Sequence, residues 1–312
     1  MKSKTISIVW WGIWWLATAI LLARQGHKVA IYEKNECRGG RASIFSAQWY
    51  TFDMGPSRYL MPDLFEKFFN EIGENIHDHL DLQQLSPSYR VFYSEKVTGN
   101  KKQKTVEKSS LQHLDVYADI DRMAEQFETM EAGSGAKFRS FLQKSWEQYE
   151  IGMEFALRNY DSIFDFFRWD IAWKGMKLNI WTSIDKYVAR FFKTPIIQKI
   201  MQYTTVFLGT APRDTPAFYN IMSHVDFAMG VWYPQGWLHQ IAKVLVEIGE
   251  KYGVEYHLNH ELTEVISSKK QVESIQLKRK DLTKKICFHG IGKLGTGHST
   301  VISYIWKKLG TV

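Results

Sequence analysis

The chain has 312 residues, 45% hydrophobic and 23% charged, with a net charge of +7; a core can be buried, which excludes a disordered chain. Its 7 Pro and 2 Cys exclude collagen-like and disulfide-stapled scaffolds, and Cys37 and Cys287 match no metal-ligand spacing and fit a reducing compartment. Met1 to Ile266 carries 30 basic and 31 acidic residues and Ser267 to Val312 carries 10 and 2, so the basicity belongs to the tail and does not mark a nucleic-acid partner.

Ile8 to Ala23 is free of charge, with Lys2 and Lys4 before it and Arg24 and Lys28 after it. One reading is a signal segment or short anchor. It falls short of the roughly 20 apolar residues a spanning helix needs, and no small-residue cleavage site follows. The second reading uses more of the residues. Ile6, Ile8 and Val9 make a short buried strand. Leu16, Ala19, Ile20 and Ala23 space out as one helix face, which Gly26 ends. Lys28 to Tyr32 makes a second strand, closed by Glu33.

That order is a βαβ start with a carboxylate about 20 residues behind its first turn, where the dinucleotide fold holds a ribose. The turn of that fold reads G-x-G-x-x-G, and positions 10, 12 and 15 here are Trp10, Gly12 and Trp15. The first glycine permits the tight turn, the second lets backbone approach the pyrophosphate, and the third packs helix on strand. Only Gly12 remains, so the loop as written is expected to bind a dinucleotide poorly or not at all. Gly39-Gly40-Arg41 follows the second strand, and Phe52-Asp53-Met54-Gly55-Pro56-Ser57 comes soon after. Behind a βαβ unit, glycines for close approach and a guanidinium for phosphate support a flavin site.

With Glu33, GGRA, FDMGPS, Phe207-Leu208-Gly209-Thr210-Ala211-Pro212 and Gly230-Val231-Trp232-Tyr233-Pro234-Gln235-Gly236, the chain resembles the phytoene desaturase family of FAD-dependent carotenoid oxidoreductases. The resemblance runs from about residue 4 to 277. It implies an α/β fold: a Rossmann-like FAD-binding domain with an inserted, mostly helical substrate domain. The expected boundaries are 1–90 and 225–277 for the two parts of the FAD domain, 91–224 for the insertion, and 278–312 for an irregular basic tail. The family runs on for roughly two hundred residues more, so the fold is expected to be incomplete. A truncated or frameshifted gene fits that tail, and so does a genuine segment binding anionic lipid.

The resemblance further implies FAD as cofactor and a long, phytoene-like isoprenoid as substrate. In such enzymes hydrogen leaves the isoprenoid for the flavin and a new double bond forms. The FAD contacts would come from loop positions Trp10, Gly12 and Trp15, from Glu33, Gly39, Gly40, Arg41, Gly55, Pro56 and Ser57, and from Leu262. Asp53 is the nearest candidate for a catalytic base, and it fits equally as a cap on backbone N–H groups. Other FAD oxidoreductases of the amine-oxidase kind share the N-terminal motifs, and an inactive membrane-anchored remnant is the third reading.

Six of the 12 tryptophans, Trp10, Trp11, Trp14, Trp15, Trp49 and Trp237, stand where that family has glycine or another small residue. UGA is glycine in some bacterial lineages and tryptophan in others, so decoding a glycine-type gene by the other code makes this one exchange repeatedly. An inactivated homologue is the competing account.

Pro62 to Gly73 reads as a helix, Leu80 to Tyr93 as extended pieces broken at Pro87, and 97–108 as a hairpin turn or loop. Helical pattern dominates from about Leu114 to Ala228. Residues 160 to 192 interleave aromatics with Lys and Arg. They read as a core helix pair or as a monotopic membrane contact. The family's membrane-dissolved substrates imply the second, and with it a cytoplasmic protein peripheral to the membrane. Leu238 to Tyr252 reads as an amphipathic helix, followed by strands at 253–258, 261–266 and 272–277. No histidine spacing suggests a metal, and His257 and His260 read as strand or turn residues.

Overall fold

The computed structural model describes residues 3–94, 111–157, 179–268, 271–279 and 285–293. The chain divides into two units, Met1–Gln83 with Tyr233–Val312, and Gln84–Trp232.

The first unit is built on a parallel sheet in the order β1-β2-β9, with β1 at Thr5–Val9, β2 at Lys28–Tyr32 and β9 at Glu255–His257. Thr5 pairs with Lys28 and Val9 with Tyr32, while Ala30 to Tyr32 pair with Glu255 to His257. Parallel pairing needs a crossover, and helix α1 (Ile13–Arg24) supplies it. Its Leu16, Ala19 and Ile20 are fully buried, at a gain of roughly 1.5–3 kcal/mol for each large aliphatic side chain. Gly26 then turns the chain at φ 83°, a conformation glycine adopts without cost. The His239–Lys251 helix packs against α1 and buries Ile241, Val244, Leu245 and Ile248.

Beside this core stand the hairpin of β3 (Ile44–Ala47) and β4 (Tyr50–Asp53), helix α2 (Pro62–Glu71) and a short strand β5 (Leu82–Gln84). A second sheet, antiparallel, runs β10 (His260–Ser268), β11 (Gln271–Arg279), β12 (Lys285–Lys293). The third strand corrects the expectation of an irregular tail from residue 278. Ile286 and Phe288 fall opposite Leu277 and Ile275, and this period of two is a strand signal set among lysines and glycines.

The second unit opens with an antiparallel pair, β6 (Tyr89–Ser94) and β7 (Leu111–Val116), in which Val91 meets Leu114 and Tyr89 meets Val116. The expected helix at Leu114 is therefore a strand: Leu114 and Val116 are buried in alternation, and pairing with β6 outweighs local helical pattern. The hairpin turn expected at 97–108 lies outside the described residues. Helix starts six residues later, at α3 (Ile120–Met130), where the Asp119 side chain accepts from the amides of Asp121 and Arg122. A break at Gly133 leads into α4 (Ser134–Leu157). Phe127, Phe138, Phe141, Tyr187, Phe192 and Phe227 fill the core of this unit. Residues 158–178, most of the aromatic-rich segment, lie outside the described residues. Among those described, Trp181 is exposed and Phe192 is buried. No helix among the described residues is long and apolar enough to cross a membrane.

Candidate dinucleotide site

The candidate site sits where β1 hands over to α1. Gly12 takes an extended conformation ahead of the helix, no side chain caps it, and nothing lies within 4 Å of where its Cβ would be. The first amides of an α-helix have no intrahelical acceptor, so a bare backbone end with a positive dipole faces open space. That is an anion site by construction. Gly12 bridges in parallel to Gly39. A Cβ on Gly40 would stand 3.2 Å from the Gly12 Cα, and one on Gly39 would stand 2.8 Å from the Ala42 carbonyl oxygen and 2.9 Å from the Ala242 Cβ. Backbone thus meets backbone at two turns, and Gly39 and Gly40 have φ of 97° and 58°, which side chains resist.

Glu33 closes β2 and is buried. Its Oε2 accepts from the Trp11 amide at 3.1 Å, and its Oε1 from the Asn35 amide and side chain at 2.9 and 2.7 Å. The carboxylate therefore ties the loop to the end of β2, with lone-pair capacity left for a further donor.

The FDMGPS segment joins this frame. A Cβ on Gly55 would lie 2.1 Å from the Arg41 carbonyl oxygen, and the Met54 amide donates to Ser43 at 2.9 Å. Pro56 and Ser57 follow on the surface, and the Arg41 side chain is exposed. Asp53 does not stand free as a base would. Its Oδ2 accepts from the Tyr233 hydroxyl at 2.6 Å and from the Leu238 amide at 3.2 Å. Its Oδ1 is buried with no partner. Burial, then the bond to Asp53, pushes the Tyr233 pKa up to about 12. The residues that bring Tyr233 and His239 to this site gave no local signal, because their partners Asp53 and Ala42 lie far away in sequence.

Leu262 lies early in β10, opposite Leu277 in the antiparallel sheet, two residues after His260, whose amide donates to the Glu33 carbonyl at 2.7 Å. His257 stacks on Tyr32 with ring centroids 4.8 Å apart. Among the described residues no group of His, Cys, Asp or Glu could hold a metal.

The tryptophans report on the backbone beneath them. Trp10 has φ 112° and Trp237 φ 79°, the region that glycine occupies freely and a side chain does not. Trp10, Trp14, Trp49 and Trp237 are exposed, at 55%, 79%, 87% and 43%, so none is held by the core. Trp11 differs: it is buried and stacked on Tyr256 at 4.9 Å. The rings of Trp10 and Trp15 stand 6.3 Å apart on either side of Gly12 in the loop. The frame of Gly12, Glu33, Gly39 and Gly40 fits the ADP half of a dinucleotide. The indoles at 10 and 15 stand at the sequence positions where the fingerprint has glycine.

Residues 16–279 match the family of flavin-containing amine oxidoreductases. Over 267 residues the chain is 40% identical to a carotenoid 3,4-desaturase of Haloarcula japonica, covering 85% of this chain and 51% of that one. It is 33% identical over 256 residues to a phytoene desaturase of Phycomyces blakesleeanus, covering 81% and 41%. The chain thus spans about half the length of the curated relatives it matches. An oxidoreductase of Methanosarcina mazei shares the fold, with TM-score 0.55 and 13% identity over 99% of this chain and 65% of that one. Cradle and family agree on an α/β flavoprotein with FAD as cofactor, and the chain belongs to the flavin-containing amine oxidoreductase family.

Proposed function

We propose that this chain serves FAD-dependent desaturation of a long, phytoene-like isoprenoid in carotenoid biosynthesis. One observation carries the reading: the glycine cradle at the bare start of α1 lies in a chain most similar, among the relatives above, to carotenoid desaturases. The chemistry FAD supplies when bound is acceptance of the hydrogen removed from the substrate. The chain's own residues bind and orient. The α1 amides and Gly12, Gly39 and Gly40 would take the diphosphate, Arg41 would add a cation, and Glu33 would accept from the ribose. Gly55, Pro56 and Ser57 would border the flavin side. Trp10 and Trp15 stand at loop positions whose indoles weaken this binding, and Leu262, two residues after the His260 amide that donates to the Glu33 carbonyl, would meet the adenine. The unit Gln84–Trp232 would be the inserted substrate domain.

The same reading places the protein in the cytoplasm, peripheral to a membrane. Its support is the substrate class, which dissolves in lipid, and the interleaved aromatic and basic residues of 160–192. Flotation with anionic liposomes tests this, and a protein left with the soluble fraction overturns it.

For the main reading the test is flavin chemistry. FAD fluorescence is titrated with the chain and with its Trp10→Gly/Trp15→Gly variant. The FAD-loaded variant is then mixed anaerobically with phytoene in liposomes. The expected result is tighter FAD binding in the variant and bleaching of the flavin by the isoprenoid. Bleaching by amines and not by isoprenoids would move the chain to the amine-oxidising side of its family.

A further inference from the structure

We propose that Asp53 is a positioning residue, a latch that seats the first turn of the His239–Lys251 helix against the Gly39–Ala42 turn of the cradle. The proposal rests on the FAD reading and deepens it.

The chain of contacts is short. Asp53 ends β4 and its Oδ2 receives the Tyr233 hydroxyl and the Leu238 amide. Leu238 is the residue that begins the helix, and its own apolar side chain makes no capping bond there. A carboxylate at this end suits the helix dipole. Gly236 and Trp237, at φ 82° and 79°, turn the chain so that the Leu238 N–H meets Asp53. The next residue, His239, places Nδ1 2.9 Å from the Ala42 carbonyl oxygen. One turn on, Ala242 fills the space that a Cβ on Gly39 would need. Gly39 and Gly40 in turn meet Gly12. Asp53 therefore reaches the phosphate end of the cradle through the helix start, and not through its own side chain. With two donors on Oδ2 and Oδ1 buried, this carboxylate is poorly placed to take a proton from substrate.

Two readouts test this on the full chain. The first is FAD affinity by fluorescence titration, and the second is amide hydrogen exchange by mass spectrometry. Asp53→Ala is expected to weaken FAD binding about tenfold, the usual scale for losing a charged buried acceptor. It is expected to speed exchange in peptides covering 237–242 and 39–42, and little elsewhere. Asp53→Asn keeps an acceptor and is expected to stay near the parent in both. Unchanged affinity in Asp53→Ala, or an Asp53→Asn variant as impaired as Asp53→Ala, overturns the latch. Should Asp53→Ala fail to fold, Tyr233→Phe carries the test: faster exchange at 237–242 supports the latch, and an unchanged rate there overturns it. If neither the parent chain nor its Trp10→Gly/Trp15→Gly variant binds FAD, the functional reading fails, and the exchange data still decide the latch.

Discussion

The Tyr233 hydroxyl donates to the Asp53 carboxylate at 2.6 Å, across 180 residues of sequence. Burial of Tyr233 and the charge of Asp53 both favour the neutral phenol, which lifts its pKa from 10.0 to about 12. A raised folded-state value means that the stabilisation is complete below pH 10 and fades as pH climbs toward 12. Tyr233→Phe is therefore expected to lower stability at pH 8 by about 1 kcal/mol, the net worth of one such bond. It is also expected to lose less than the parent between pH 10 and 12. Urea midpoints at both pH values check this, and a parallel decline in the two proteins counts against the bond.

Trp10 and Trp237 hold positive φ with their side chains exposed. A non-glycine residue in that region costs about 1–3 kcal/mol, and little packing is lost when an exposed indole goes. Glycine gives back part of the gain through its unfolded-state entropy. Trp10→Gly and Trp237→Gly are each expected to stabilise the protein by about 1 kcal/mol. Trp49→Gly, at an exposed residue outside the positive-φ region, serves as the control and is expected to show no such gain. A urea midpoint that falls in the first two variants would mean the indoles have found contacts worth more than the backbone strain.

The parallel βαβ start was legible because periodicity alone carries it. Ile8, Leu16, Ala19 and Ile20 are core residues at strand and helix spacing, and Glu33 falls at the end of the second strand. The anomaly at positions 10 and 237 was legible as well, because the dinucleotide fingerprint puts glycine at 10 and the family resemblance puts it at 237. Strand β7 was missed because Leu114 and Val116 alternate over too short a run to compete with the helical pattern after Ile120. Strand β12 hid among charges and glycines. The resemblance implies that 53–57 and 233–236 both lie near the flavin ring or substrate mouth, but the bond from Tyr233 to Asp53 leaves no local pattern, so a base and a latch look alike in sequence.

Tyr256 stacks on Trp11, and its hydroxyl is buried with no partner, as is the Trp11 Nε1. Burial pushes the Tyr256 phenol up, well above its ordinary pKa. An unsatisfied buried hydroxyl costs about 1–3 kcal/mol, and phenylalanine keeps the ring and the stack. Tyr256→Phe is expected to raise the melting temperature. The same hydroxyl lies 1.9 Å from where a Cβ on Gly249 would stand, so Gly249→Ala is expected to destabilise by about 1–3 kcal/mol through overpacking. In the Tyr256→Phe background that cost is expected to shrink, a coupling a double-mutant cycle reads directly. Strict additivity would mean the two residues do not touch.

Glu131 gives a prediction for the second unit at acid pH. It follows α3, and its Oε2 accepts from the amides of Lys193 and Thr194 at 2.8 Å each, while Oε1 pairs with the Lys137 ammonium at 3.1 Å. The carboxylate thus meets the amides just ahead of the Pro195–Gln202 helix, whose own cap residue, Thr194, makes no capping bond with its side chain and hydrogen-bonds Glu131 with it instead. Burial alone would raise its pKa. The two amides and Lys137 outweigh burial and bring it from 4.5 down to about 2. A depressed folded-state value gives stability that is present above pH 4.5 and is lost as pH falls toward 2. Glu131→Gln is expected to cost about 1.5–3 kcal/mol at pH 7, the range for hydrogen bonds to a charged group. The difference from the parent is expected to close as pH drops from 4.5 to 2, because the parent's carboxylate is then neutral too. Thermal melts across that range check it, and a gap that stays constant to pH 2 means that the charge of Glu131 does not hold these amides.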